Sequence, residues 1–372
     1  MKILHMTTHL NTGGITTYLL TLIKEQKKAG HEVYVWGSAG ERLEDFRSCS
    51  VGIVPDVPRC KSELSPKLWA QLPKLVSFLK KNPVDIIHCH TRVAQVLAAA
   101  AGSFVKIPYV STAHMFYKRR LGRRLFPCWG RTIIAISTVM EKGLRAIFKE
   151  KELPPIVVVP NGIDVEKLRA KFDDVDREKI RESYGYGKED RVVLSICRLI
   201  PVKGIHILIE AFAVVHKEIP KLKLLVAGTG DPVYTQALKD RVGALHLEKD
   251  VLLIGNVPEI EKPLKAADIF VAPYLWEEPF GLSVVEAMAA GLPVVGAISG
   301  SLVELLGGGK FGLLFEKGNI PDLASCLLRY TKDAVLRSEM GKAARQEALE
   351  YASFKMCERI QKVYENVLKE KA

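Results

Sequence analysis

Glu278-Pro279-Phe280-Gly281-Leu282-Ser283-Val284-Val285-Glu286, running on into Ala287-Met288-Ala289-Ala290-Gly291-Leu292-Pro293-Val294-Val295, reads as a loop, a helix and a strand in succession. Pro279 and Gly281 stop a continuous helix from passing through both glutamates. The helix is therefore expected to start near Leu282–Ser283, with Glu286 in its first turn and Glu278 in the loop before it. Ser283 is expected to cap it, leaving the N–H groups of Gly281, Leu282 and Ser283 as an anion site. A carboxylate in a first turn also pairs favourably with the helix dipole, so Glu286 alone would prove little. The intervening Pro-Phe-Gly and the long apolar helix behind it shift the reading towards a ligand site.

The same alternation of short β-branched runs and amphipathic stretches extends over the whole chain, which is the pattern of parallel α/β sheets. Downstream of 191 the strands read as 192–196, 223–227, 251–254, 269–272 and 293–295. Upstream they read as 2–6, 32–36, 85–88, 109–112, 132–136 and 156–159, with helices at 15–28, 64–80 and 139–148. A charged, weakly apolar segment, 166–190, separates the two series. Each series is long enough to close its own core, which predicts two Rossmann-like, doubly wound domains facing each other across a cleft. The expected boundaries are 1–168 and 169–353, with a last helix in 354–372 that has no strand to serve.

Of the 372 residues 48% are hydrophobic and 26% charged, which fits a globular chain and excludes disorder. The net charge of +12 is unevenly placed: residues 1–170 carry 26 Lys and Arg against 13 Asp and Glu, residues 171–372 carry 28 against 29. The basic half is expected to face an anionic partner. Seven cysteines with no C-x-x-C argue against a disulfide framework or a thiolate zinc site and point to a reducing cytosol. The opening residues 1–7 read as a buried strand broken by His5, not as a signal peptide, and no apolar run reaches membrane-spanning length.

In such sheets ligands lie at the carboxyl ends of strands, so residues just after each strand carry the chemistry. Arg198-Leu199-Ile200-Pro201-Val202-Lys203-Gly204 follows strand 192–196 and offers a guanidinium and an ammonium for a diphosphate, although two surface cations would look the same. Ala227-Gly228-Thr229-Gly230 lacks the third glycine of a dinucleotide site, since Val233 stands there, and reads as a tight turn. Gly307-Gly308-Gly309-Lys310 is no P-loop, because Glu304 and Phe311 occupy two required positions. Gly13-Gly14 after the first strand would let backbone approach a ligand, or simply start a helix. His114 follows strand 109–112 at its ligand-facing end. His88 and His90 share a face, yet no third ligand is spaced nearby, so no metal is expected. Asp174-Val175-Asp176 falls in the charged segment and reads as solvated. Lys118, Arg119, Arg120, Arg123 and Arg124 lie among Phe116, Tyr117, Leu121, Leu125 and Phe126, a composition suited to an anionic membrane surface or acceptor. No nucleic-acid reader fold accompanies them, and nucleic acid is not expected as a partner.

Together these residues resemble the family 4 glycosyltransferases, retaining enzymes of the GT-B fold that use nucleotide-activated sugars. The likeness rests on Glu278…Glu286 with its EAMAAGLPVV continuation, on Arg198…Lys203-Gly204, and on Pro160-Asn161-Gly162-Ile163-Asp164 before the second series. By that resemblance Arg198 and Lys203 hold the donor diphosphate, Glu286 the ribose and Glu278 the sugar hydroxyls. His114 would stand beside the sugar and Gly14 would meet the diphosphate. Gly228 would line the donor site, as would the helix start at Phe280, Gly281, Leu282 and Ser283, while Gly255 and Val257 would pack on the base. The last helix would cross back to the first domain. The resemblance implies a metal-independent hexosyl transfer, with no cofactor, to a glycan or lipid-linked acceptor in cell-envelope, lipid or polysaccharide synthesis. It also implies a cytoplasmic protein at the inner membrane face. A departure is Ile15-Thr16-Thr17 after the Gly-Gly, where the family often has an acidic or polar residue. The alternative reading is a non-catalytic nucleotide-sugar-binding or membrane-scaffold protein of the same fold.

Overall fold

In the computed structural model, which describes residues 1–54, 57–60, 62–118 and 121–370, the apolar runs of the first half hydrogen-bond side by side as parallel strands. They are β1 (Lys2–His9), β2 (Glu32–Ser38), β3 (Gly52–Ile53), β4 (Ile86–Cys89), β5 (Tyr109–Ala113), β6 (Ile133–Ala135) and β7 (Ile156–Val158). Their order in the sheet is β3-β2-β1-β4-β5-β6-β7. The second half forms β8 (Arg191–Ile196), β9 (Leu222–Ala227), β10 (Val251–Leu253), β11 (Ile269–Ala272), β12 (Val294–Ala297) and β13 (Leu313–Phe315), ordered β10-β9-β8-β11-β12-β13. Every residue of β4, β11 and β12 is buried, as expected for parallel strands covered by helices on both faces. Both sheets are doubly wound, and the chain has the two-Rossmann GT-B fold.

The short strands β3 and β13 are absent from the sequence reading, and the expected helix 64–80 is two helices. Pro66–Trp69 ends before Ala70-Gln71, and Leu72–Lys81 begins anew with Pro73 in its first turn, where its missing N–H costs no helical bond. The charged segment 166–190 is likewise helical. Val165–Asp174 and Arg177–Ser183 are capped by the side chains of Asp164 and Asp176. Asp176 accepts from the N–H groups of Glu178 at 3.0 Å and Lys179 at 3.2 Å, which accounts for the second Asp of the Asp-Val-Asp triplet as a cap. Arg177 and Arg181 bind Asp268 at 2.7 and 2.6 Å, tying the segment to the base of β11.

The chain divides into one unit of Met1–Gly162 with Ser353–Ala372 and another of Ile163–Ala352. These divisions fall before the expected 168/169 and 353/354. The N–H of Ile163 donates to the Tyr351 carbonyl at 2.9 Å, joining the two ends of the second unit to each other. The last helix, Ser353–Lys369, belongs to the first unit. Its buried stripe of Met356, Ile360, Val363, Tyr364 and Val367 packs on Ile3, Tyr18, Leu22 and Ile86.

Candidate functional site

In the second unit the strand sequence reverses between β8 and β11, so the loops leaving these strands flank the ligand-binding position of a doubly wound sheet. The loop after β8 tightens into a 3-10 turn, Pro201–Lys203, and Gly204 follows with φ +69°. A Cβ at Gly204 would lie 1.9 Å from the Pro273 carbonyl oxygen, so glycine is what lets this loop touch the one after β11. That contact brings Lys203 to Glu278: Nζ and Oε2 are 2.6 Å apart, and the two side chains are only 10% and 11% exposed. Lys203 also lies 3.8 Å above the Tyr274 ring, and Trp276 Nε1 donates to the same Glu278 oxygen at 3.1 Å. Arg198, five residues earlier, is exposed.

The Glu278 loop is fixed from behind by residues the sequence reading passed over. Ser301 Oγ donates to the carbonyls of Glu278 at 3.0 Å and Phe280 at 2.6 Å, and Gly300 N–H donates to Glu277 at 2.6 Å. The available signal was a Ser-Gly-Ser triplet, 299–301, just after a strand.

The helix begins at Leu282, but its cap differs from expectation. Gly281 is the capping residue, at φ +96° and with no side-chain bond to the helix. Ser283 lies inside the helix, where its hydroxyl meets Tyr274 Oη at 3.1 Å, so it does not cap. Glu286 lies beyond the first turn in which it was expected, because the helix starts at Leu282, and burial pushes its carboxyl up to about 7. Phe280 is buried with its ring 5.9 Å from Tyr351. Gly228 is explained within the chain: its Cβ would fall 1.9 Å from the Cys197 carbonyl oxygen. Gly255, at φ +70°, has nothing within 4 Å of a Cβ, and Val257 is partly exposed two residues on.

In the first unit the reversal lies between β1 and β4. Gly14 opens the helix Gly14–Lys28, and a Cβ there would meet no atom within 4 Å. His114 stands at the end of β5, partly exposed, with Tyr18 edge-on at 4.7 Å. Behind it runs a line of buried polar side chains. His114 Nε2 is 3.2 Å from His90 Nδ1, His90 Nε2 is 3.0 Å from His5 Nδ1, and His5 Nε2 is 2.7 Å from Gln26 Oε1. Gln26 Nε2 reaches Tyr364 Oη at 3.4 Å, Tyr364 meets His88 Nδ1 at 2.6 Å, and His88 Nε2 meets Thr112 Oγ1 at 2.6 Å.

The missing neighbour of His88 and His90 is thus His5, which pairs in register with His88 across β1 and β4. One ligating atom from each of these three histidines lies within 4.8 Å of the others. Every ring nitrogen among them already has a hydrogen-bond partner, which a metal ion would have to displace. Burial drives His5 down to about 4 and His114 to about 3, with His88 and His90 also well below the ordinary imidazole range.

The basic cluster does not act as one surface. Arg123 is buried, its guanidinium 4.0 Å above the Trp129 ring and 4.6 Å above Tyr117, and it donates to Gln95 at 3.0 Å. It is therefore withdrawn from the membrane or acceptor set, because its charge is spent inside the fold. Lys118 and Arg124 are exposed, as are Met115, Leu121, Leu125 and Phe126. Arg119 and Arg120 lie outside the described residues. No helix among the described residues is long and apolar enough to cross a membrane.

Two family models match, that of "Glycosyltransferase Family 4" over residues 12–167 and that of "Glycosyl transferases group 1" over residues 176–347. The chain is 28% identical over 371 residues to a phosphatidyl-myo-inositol mannosyltransferase of Mycolicibacterium smegmatis, covering 95% of this chain and 90% of the relative. It is 29% identical over 337 residues to a UDP-Gal:alpha-D-GlcNAc-diphosphoundecaprenol alpha-1,3-galactosyltransferase of Escherichia coli, covering 86% and 84%. Among solved structures, Anabaena Alr3699/HepE in complex with UDP-glucose superposes with a TM-score of 0.82 at 23% identity, covering 98% of this chain and 99% of that one.

Proposed function

The chain belongs to the family 4 glycosyltransferases, and on that premise we propose that it moves a hexose from a nucleoside diphosphate donor to a glycan or lipid-linked acceptor. Transfer proceeds with retention of configuration, without a metal ion, at the inner face of a membrane. The observation that carries this reading is the Lys203–Glu278 pair, 2.6 Å apart beside the strand reversal of the second unit. A diphosphate leaving group gains negative charge as the sugar–phosphate bond breaks. Lys203 from within the fold and exposed Arg198 supply fixed positive charge for it. The first turn of the helix Leu282–Ala289 adds N–H groups that have no carbonyl of their own helix to bond.

As the diphosphate takes up Lys203, the Glu278 carboxylate is released to accept from hydroxyls of the sugar. Glu286, one turn into the helix, accepts from the ribose. The bond from the anomeric carbon to the β-phosphate oxygen breaks with its electron pair on that oxygen. The acceptor oxygen closes on the same face, and its proton passes to the departing phosphate. His114 stands beside the sugar. Lys118 and Arg124, with Leu121, Leu125 and Phe126, supply attachment to an anionic membrane. A UDP-sugar is the first donor to test, because the Escherichia coli relative is named for one.

The test is thermal unfolding of the full chain with UDP-, GDP- and ADP-sugars, followed by transfer assays with the stabilising donor. One donor class is expected to raise the melting temperature, and Arg198→Ala to abolish that rise while leaving the unliganded protein as stable as before. Failure of every nucleotide to bind, or full transfer by both Arg198→Ala and Glu278→Ala, would refute the assignment.

A further inference from the structure

The polar line behind His114 has a direction, set by Gln26. With Gln26 turned so that Oε1 faces His5 and Nε2 faces Tyr364, the amide oxygen accepts and His5 carries its proton on Nε2 in the 2.7 Å bond. His5 Nδ1 is then a lone pair, and the donor at 3.0 Å from it has to be His90 Nε2–H. His90 Nδ1 is in turn an acceptor, so the bond at 3.2 Å is donated by His114 Nε2–H. The other arm runs the same way: Gln26 Nε2–H donates to Tyr364, Tyr364 donates to His88 Nδ1, and His88 Nε2–H donates to Thr112. Each contact has one proton and one acceptor. A second proton on His90 or His5 would set two donors against each other and break the line.

The line starts at His114 and returns at Thr112, two residues away at the same end of β5. It passes through side chains that are fully or almost fully buried, from the helix Gly14–Lys28, β1, β4 and the last helix. The groups acting electrostatically on His90 are the other three imidazoles, His88, His5 and His114. Tyr18 is in T-shaped contact with both His90 and His114, at 5.7 and 4.7 Å between ring centroids. A core that needed only volume would be filled more simply by apolar side chains.

We infer that His90, His5 and Gln26 are positioning residues that hold His114 as the neutral imidazole with its proton on Nε2, leaving Nδ1 to accept a hydrogen bond from a substrate hydroxyl. This rests on the placement of His114 beside the sugar in the proposed function. The hydroxyl's lone pair is then kept free for other contacts, and His114 never meets the developing phosphate charge as a competing cation.

The test is made on the full chain labelled with 15N-histidine, by long-range proton–nitrogen correlation between pH 7.5 and 5. A solvated imidazole, with a pKa of about 6.5, would change charge in this range. His5, His90 and His114 are expected to show the Nε2–H pattern and to stay neutral throughout. His90→Phe cuts the line next to His114, which should become a mixture of tautomers, titrate within the range, and lose transfer ~10–100-fold with a new acid limb in its pH profile. His90→Gln can accept from His114 and donate to His5, and is expected to restore the Nε2–H form.

An Nδ1–H or mixed His114 in the parent protein would overturn the inference, as would a folded His90→Phe whose His114 is unchanged in tautomer and titration. So would stoichiometric Zn2+ that shifts His5, His88 and His90 together. If His90→Phe does not fold, Gln26→Leu removes the source of direction and must show the same loss of a single tautomer. Full transfer by His114→Ala would instead remove His114 from the sugar, a failure of the proposed function that the tautomer measurement tells apart.

Discussion

Replacing Lys203 with methionine keeps the side-chain stem over Tyr274 and removes only the charge that faces Glu278. The carboxylate is then left 11% exposed with the Trp276 indole as its remaining donor at 3.1 Å. Breaking a buried ion pair from one side costs ~3–5 kcal/mol, because the surviving charge loses its partner without regaining water. Protonation of the abandoned carboxylate limits the loss, so ~3 kcal/mol is expected for Lys203→Met. For Glu278→Gln, which leaves the ammonium an amide oxygen and the Tyr274 face, ~2 kcal/mol is expected. The double variant has no uncompensated charge and should be less destabilised than the sum of the singles by at least ~2 kcal/mol. The assay is urea unfolding of the full chain, read by hydrogen exchange in β8 and β11 so that the second unit is followed by itself. Single variants within ~0.5 kcal/mol of the parent, or additive losses, would show that the 2.6 Å contact couples nothing and would refute the reasoning. The double variant should be folded and inactive, which separates the structural share of the pair from its share in transfer.

The two units should respond to acid in opposite directions. His5 has its pKa lowered from 6.5 to about 4 by burial, so between those values the unfolded chain binds a proton that the folded one does not. The first unit therefore loses ~3 kcal/mol from His5 alone as pH falls through this window. Glu286 is raised from 4.5 to about 7, so the second unit is stabilised as pH falls from 7, by an amount on the order of 3 kcal/mol. Calorimetry at pH 7.5 and 5.5 should show the transition assigned to the first unit moving down and the other moving up; two downward shifts would contradict the Glu286 assignment and two upward shifts the His5 assignment. Gly204→Ala puts a methyl 1.9 Å from the Pro273 oxygen at φ +69° and should destabilise the second unit by at least ~3 kcal/mol, measured by the same urea assay. Removing residues 353–372 uncovers Ile3, Tyr18, Leu22 and Ile86 and discards six buried side chains of the same cluster. At ~1.5–3 kcal/mol each that equals the whole stability of a typical domain, so the first unit should lose its cooperative unfolding transition.

The fold was legible because parallel strands covered on both faces leave unbroken apolar runs, such as 192–196 and 269–272. It failed where a strand is too short to leave a run. β3 has two residues at a sheet edge, and β13 has three. The loop–helix unit of Glu278 and Glu286 and the strand-to-helix loop with Arg198 and Lys203 were legible, because each has a recognisable composition. The histidine line was not, since its contacts join residues 85 and 276 positions apart in the chain. Periodicity shows which face a side chain takes but not which strand lies next to it, and the pairing of β1 with β4 is what sets His5 against His88. Arg123 was misplaced by counting charges. Tyr117 and Trp129, which stack on it, flank it in sequence and were the signal for burial.

The two polar sets are held in physically different ways, and the difference bears on what each does when a ligand arrives. Lys203 and Glu278 satisfy each other as opposite charges 2.6 Å apart. In the proposed function a diphosphate takes the ammonium and leaves the carboxylate to a ligand rich in hydroxyls, which would offset the cost of separating the pair by contacts on both sides. Binding of a nucleoside diphosphate without its sugar leaves Glu278 unpaired, and should be weaker than binding of the whole donor by more than the sugar's own contacts explain. The histidine line holds no charge to trade. Its neutral rings are complete before any ligand is present, so it sets geometry in advance and needs no rearrangement at the moment of transfer. A buried cation there would have to be neutralised by a carboxylate for the core to close, and burial holds each imidazole of the line below its ordinary range.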